Sequence, residues 1–253
     1  MIFGAVFVTA MGLMIGSFLN VCIHRLPLDE SIVWPASRCP KCRMALKPYD
    51  NIPVISYAIL RGRCRGCGNP ISWQYPVVEL LTAGLFLAAY LLYPPALMFQ
   101  RIVFVCAMIV LFFIDLEHHR LPNEITLPGI VVGFACSFVM PPGWVSSLLG
   151  ILLGGGVLWL LATLWWLIRH EEGMGFGDVK MLAMIGAFLG WKLMLATLFV
   201  STILGSVIGV GLIVTKKGNM KTALPFGCFL AIGAILAGAA GDRAVNWYLS
   251  LYP

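Results

Sequence analysis

Two aspartates and four cysteines have the residue types and spacing that chemistry would use. Asp178 ends the run Gly173-Met174-Gly175-Phe176-Gly177, in which three glycines alternate, and it opens an apolar segment that reads as helix. Glycine at that density permits a sharp turn or a close approach to another chain. Asp115 closes a second apolar run, 102–114, and the polar stretch 116–126 follows it. An ionisable residue at a membrane span is costly, so it points to function and needs a partner. The competing reading is a pair of solvated helix caps. That suits Asp178 better than Asp115, because the negative end of a helix dipole disfavours an anion at a C-terminus. Two neighbouring carboxylates share one proton. The ionised member can activate water as a general base while the protonated member polarises a carbonyl. A proton relay in a transporter is the rival use of the same pair.

The four cysteines form Cys39-Pro40-Lys41-Cys42 and Cys64-Arg65-Gly66-Cys67, two C-x2-C knuckles with 21 residues between them. This is close to the spacing of four-thiolate zinc sites, in which no coordination position is left open for catalysis. Two disulfides are the alternative, disfavoured in a reducing compartment. The segment 22–75 that carries the knuckles is too short for a large core and needs such a staple. Cys22, Cys106, Cys136 and Cys228 stand alone at or within apolar runs and read as small buried hydrophobes. His118 and His119 follow Asp115 closely and could bind metal or tune the aspartate, but a metal site wants more ligands, so a solvated loop is the better reading, and His24 and His170 are lone histidines.

The elements that must position these residues are membrane spans. Of the 253 residues, 60% are hydrophobic and 11% charged, and the mean hydropathy is +0.93. Soluble domains run at about 45–50% apolar and about 25% charged, so the chain reads as an all-α polytopic membrane protein. Eight apolar segments can be drawn, at 3–21, 76–93, 97–114, 125–140, 144–168, 179–191, 193–214 and 223–241. Most approach the roughly 20 residues that a spanning helix needs. Segments 125–140 and 179–191 are short, and the latter could be re-entrant. The first has no positive residue before it, which argues for a retained span rather than a signal peptide.

With the N-terminus outside and every segment crossing, 14 Lys/Arg fall on the inner side and 3 on the outer. That bias supports about eight crossings with the polar segment 22–75 in the cytoplasm. On this map Asp115 and Asp178 both lie at the cytoplasmic boundary. Glycines four apart, at 12/16, 150/154, 186/190 and 205/209, read as close helix packing. No basic stretch with interleaved aromatics argues for nucleic acid.

The ordered motifs resemble one family. Gly16-Ser17-Phe18-Leu19-Asn20-Val21 closes the first span, and Arg25-Leu26-Pro27 follows. Then come the two knuckles, Tyr75-Pro76-Val77-Val78-Glu79, Ile114-Asp115, Leu121-Pro122, Gly175-Phe176-Gly177-Asp178-Val179-Lys180 and Pro225-Phe226-Gly227. Together these resemble the type 4 prepilin peptidases of bacterial type IV pilus and type II secretion systems, over nearly the whole chain. Asn123 departs from the family, where many relatives have Asp after Leu-Pro.

The resemblance implies a multi-pass aspartic endopeptidase of the bacterial inner membrane with Asp115 and Asp178 as the catalytic pair. It would cut prepilins on the cytoplasmic side, after a glycine and usually before a phenylalanine, then N-methylate the new terminus from S-adenosylmethionine. No cofactor loop for that donor is recognisable in the sequence. The implied division is a first helix at 1–21, a zinc-binding domain at 22–75 associated with methyl transfer, and a peptidase domain at 76–253. Zinc would be held by Cys39, Cys42, Cys64 and Cys67. Gly175, Gly177, Glu171 and Glu172 are candidate substrate contacts, with Glu117 and Glu124 also close to the pair and suited to a basic leader. A transporter, and a scaffold that docks through its zinc domain, remain as rival classes.

Overall fold

The computed structural model describes residues 2–170, 175–215 and 224–250, with backbone alone at Arg169 and 242–249. Glu171, Glu172, Gly173 and Met174 lie outside the described residues, as do Lys216, Lys217 and Lys221. The described chain is helical and contains no β-strand. Its helices are α1 (Ile2–Arg25), α2 (Ile55–Ile59), α3 (Gln74–Leu92), α4 (Pro95–His118), α5 (Asn123–Cys136), α6 (Trp144–Arg169), α7 (Phe176–Val214) and α8 (Phe226–Ser250). Among the described residues, α1, α3, α4, α6 and α7 are long and apolar enough to cross a membrane, while α5 and the 226–241 stretch of α8 are shorter apolar helices. The chain is thus a multi-pass membrane protein. It divides into two compact units, Met1–Val110 and Leu111–Pro253.

In the first unit, α1 and α3 pack antiparallel. Gly4 faces Tyr90, Gly12 faces Ala83 and Gly16 faces Glu79, so chain numbers rise on one helix as they fall on the other. A Cβ on Gly12 or Gly16 would stand 2.7 Å from a Cα of α3, closer than real Cβ contacts come. The spaced glycines therefore serve backbone approach, as their spacing predicts.

In the second unit, the first arm of α7 is the hub. Met181 to Gly190 are all buried, which is what a helix apolar on every side requires. Gly150 of α6 meets the backbone of Gly186, and Gly129 and Gly133 of α5 receive the side chains of Met184 and Phe188. The expected segments 179–191 and 193–214 both lie in α7, which is interrupted at Gly190 (φ 77, ψ 171). That conformation is essentially restricted to glycine. The arms fold back on each other there. Phe229 of α8 and Leu224 just before it touch Gly205 and Gly209 of the second arm, and the start of α8 also reaches Asp115, whose charge acts on Asp178 in the first arm. Counting the arms separately, each of the eight expected segments contains a helix, α5 ending at Cys136 and α8 starting at Phe226. The first arm, Phe176 to Leu189, is roughly 20 Å long at about 1.5 Å per residue, and its burial against neighbouring helices suits that short reach.

Candidate functional site

Asp115 lies in the last turn of α4 and is 5% exposed. An anion at that end of its own helix is unfavourable, and the structure supplies the compensation. The backbone N–H of Cys228, in the first turn of α8, donates to Asp115 Oδ2 at 3.0 Å. The N-terminus of α8 therefore faces the carboxylate that the C-terminus of α4 would repel. The Cys228 thiol also donates to the carbonyl of Phe112 at 3.2 Å. Cys228 is buried, as its apolar setting predicts, but it is more than a small hydrophobe: it fastens the start of α8 to the last turns of α4.

Asp178 sits in the first turn of α7, after the N-cap residue Gly175, and its N–H donates to the Gly175 carbonyl at 3.1 Å. It is half-buried, and the cap position belongs to Gly175 rather than to the aspartate. Asp115 and Asp178 lie close enough for the charge of one to act on the other, and both act on Cys228.

Leu121 is the peg between the two helix starts. A Cβ on Gly177 would come within 2.9 Å of Leu121 Cβ, and one on Gly227 within 3.1 Å of Leu121 Cδ1 and 2.9 Å of Asp115 Oδ2. Both positions must lack a side chain for α7 and α8 to close on Leu121 and Asp115. Lys180 donates to Asn123 Oδ1 at the start of α5, tying the segment after Leu121-Pro122 to α7. His118 and His119 are exposed, and His118 lies 3.8 Å from Glu117.

The first unit holds the thiol cluster. Cys39, Cys42, Cys64 and Cys67 bring their sulfurs within 4.8 Å of one another. Cys39 and Cys67 are 3.8 Å apart, and Cys42 and Cys64 4.0 Å. A disulfide needs about 2.05 Å, so these are four free thiols. Tetrahedral zinc with bonds of about 2.3 Å sets sulfurs about 3.8 Å apart, so the donor set fits zinc.

The two knuckles are copies of one turn. Arg38 bridges Ala45 and Arg63 bridges Pro70, while Cys39 N–H donates to Met44 O and Cys64 N–H to Asn69 O. Backbone N–H groups of Cys42 and Lys41 pull the Cys39 thiol down, while the neighbouring sulfurs push Cys42 up, so the cluster forms one thiolate readily and a bound cation would favour the others. Lys41 Nζ donates to Asn69 Oδ1 at 3.1 Å across the knuckles. Arg65 grips the buried Asp50 through Nε and Nη2 at 2.9 and 2.7 Å.

A membrane chain, helical in its described residues, with two aspartates at helix ends and four clustered thiols defines a narrow class. Residues 10–93 match the family described as Bacterial Peptidase A24 N-terminal domain, and residues 102–210 match the Type IV leader peptidase family. Relatives carry the name prepilin leader peptidase/N-methyltransferase. One from Aeromonas hydrophila is 38% identical over 94% of this chain and 91% of its own length. One from Myxococcus xanthus is 42% identical over 86% and 66%, and one from Pseudomonas aeruginosa 32% over 94% and 91%. The chain belongs to the type IV leader peptidase family. No solved structure matches it.

Proposed function

We propose that this chain is a membrane aspartic endopeptidase that removes the basic leader of type IV prepilin-like proteins and then N-methylates the new terminus. The observation that supports the peptidase half is that Asp115 and Asp178, from separate helices, lie within reach of each other's charge, with the Cys228 amide bonded to Asp115. As a pair they share one proton. The ionised carboxylate takes a proton from water, and the hydroxide formed attacks the scissile carbonyl carbon while the protonated carboxyl donates to its oxygen. Collapse breaks the C–N bond, and the amine leaves with a proton. The Cys228 N–H supports negative charge on Asp115 through this cycle.

Gly175 and Gly177 border Asp178 as candidate substrate contacts, the exposed Gly175 through its open backbone and Gly177 through its packing on Leu121. Glu171 and Glu172, with Glu117 and Glu124, supply anionic contacts for the leader. The protein sits in the bacterial inner membrane with the pair and residues 22–75 facing the cytoplasm, a reading supported by the Lys/Arg distribution. The segment 22–75 forms a zinc domain associated with methyl transfer, set between the helix at 1–21 and a peptidase domain at 76–253. Cys39, Cys42, Cys64 and Cys67 hold zinc there, closed and structural. S-adenosylmethionine, when bound, supplies the methyl group.

The test is to incubate purified protein with a substrate bearing a basic leader, a Gly-Phe junction and an apolar helix, with the methyl donor present. Mass spectrometry should show cleavage after the glycine and methylation of the new amine. Proton-coupled transport in proteoliposomes without cleavage would favour the transporter reading instead.

A further inference from the structure

The motifs 16–21 and 75–79 both lie in the first compact unit, and the structure brings them together. At Gly16 the helices α1 and α3 come into backbone contact beside Glu79. Glu79 is 6% exposed. Its Oε2 accepts the N–H of Val54 at 2.7 Å, and the Ser17 side chain stands near it. One turn further along α1, Asn20, 4% exposed, donates from Nδ2 to the carbonyls of Gly16 and Tyr75 at 3.3 and 3.1 Å. Those two bonds leave its Oδ1 as an acceptor.

The partners of Glu79 are neutral. Among the described residues, no Lys, Arg or His nitrogen lies within ion-pair distance of it. Asp50, the other buried carboxylate of this unit, is paired with Arg65. Burying a carboxylate without a cation is costly. Holding the Val54 amide, whose φ of 61° is unusual for a β-branched residue, needs only a neutral acceptor, which a glutamine would provide. What a carboxyl adds there over a glutamine is the capacity to take up a proton or to pair with a cation that arrives with a ligand.

We infer that Glu79, with Ser17 and Asn20 beside it, receives the N-terminal ammonium of the cleaved substrate and takes its proton for methyl transfer. This rests on the methyltransferase half of the proposed function. An ammonium has no lone pair and cannot attack. Once its proton passes to the Glu79 carboxylate, the amine lone pair forms a bond to the methyl carbon of the sulfonium donor. The carbon–sulfur bond breaks, and the neutral thioether leaves with that electron pair. The sulfonium is the other cation a buried carboxylate could accept, so the test separates the two.

The experiment compares the full-length wild type with Glu79→Gln, which keeps an acceptor for Val54 and removes the charge. Zinc content and cleavage rate should be unchanged, and methylation should fall about 100-fold or more, the range of general-base catalysis. Wild type should bind a mature-form peptide with a free N-terminal amine at least about tenfold more tightly than its N-acetylated twin, and Glu79→Gln should abolish that preference. Binding of S-adenosylmethionine and of S-adenosylhomocysteine should be unchanged.

Near wild-type methylation by Glu79→Gln would reduce Glu79 to a structural role and overturn the inference. Selective loss of S-adenosylmethionine binding, with the thioether still bound, would place the carboxylate on the sulfonium and overturn the amine assignment. If Glu79→Gln does not fold, the wild-type comparison of free and acetylated peptides decides, and equal affinities refute the inference. A wild type that cleaves but never methylates would instead refute the underlying methyltransferase reading, and this inference with it.

Discussion

The backbone N–H of Cys228 lies 3.0 Å from Asp115 Oδ2, so the first turn of α8 holds the carboxylate at the end of α4. This bond depends on Gly227, where a Cβ would meet Asp115 Oδ2 at 2.9 Å and Leu121 Cδ1 at 3.1 Å. Gly227→Ala should displace the carboxylate or the α8 turn and slow cleavage at least about tenfold, or about 1.4 kcal/mol of barrier. Gly156→Ala, where a Cβ meets nothing within 4 Å, should cleave normally. Wild-type kcat/KM for Gly227→Ala would show that the bond does not position Asp115.

Gly190 carries the reversal of α7. Alanine there must adopt φ 77° and fit against Ser146 and Pro142, a strain of order 1–3 kcal/mol. Gly190→Ala should lower the thermal midpoint in detergent. Gly211→Ala, in open space within the second arm, should leave the midpoint unchanged or raise it slightly, since alanine favours a helix over glycine by up to about 1 kcal/mol. Equal midpoints for the two variants would mean that α7 does not need glycine to turn.

The four sulfurs predict about one zinc per chain in freshly reduced protein, because a closed thiolate site binds one ion. Cys39→Ser should lose the metal and open residues 22–75 to protease. Metal-free wild type with that segment still protected would contradict a structural zinc.

Much of this geometry is legible in the sequence. Asp115 at the end of one apolar run and Asp178 at the start of another stand at helix ends in the structure as the sequence suggests, and the two knuckle spacings announce four converging thiols. Cys228 is hidden because its bond to Asp115 runs through a backbone N–H, which has no residue signature. The role of Gly190 is masked by Gly186, whose spacing suggests packing alone, and in fact one glycine packs while the other turns the chain. The central position of Met181 to Gly190 is also obscure, since a run apolar on every face has no periodicity to show what surrounds it. Likewise, nothing in Tyr75-Pro76-Val77-Val78-Glu79 shows that its carboxylate bonds a residue 25 positions earlier.

The central claim is that Asp115 and Asp178 act as one catalytic unit, and its most direct measurement is single-turnover cleavage by Asp115→Asn and Asp178→Asn. Each change removes one carboxylate while keeping its shape, and each should reduce cleavage at least about 100-fold, with zinc content and thermal midpoint close to wild type. The double variant should be little worse than either single one, because groups acting as a unit are not additive. Near wild-type cleavage by either single variant in folded protein would contradict the account.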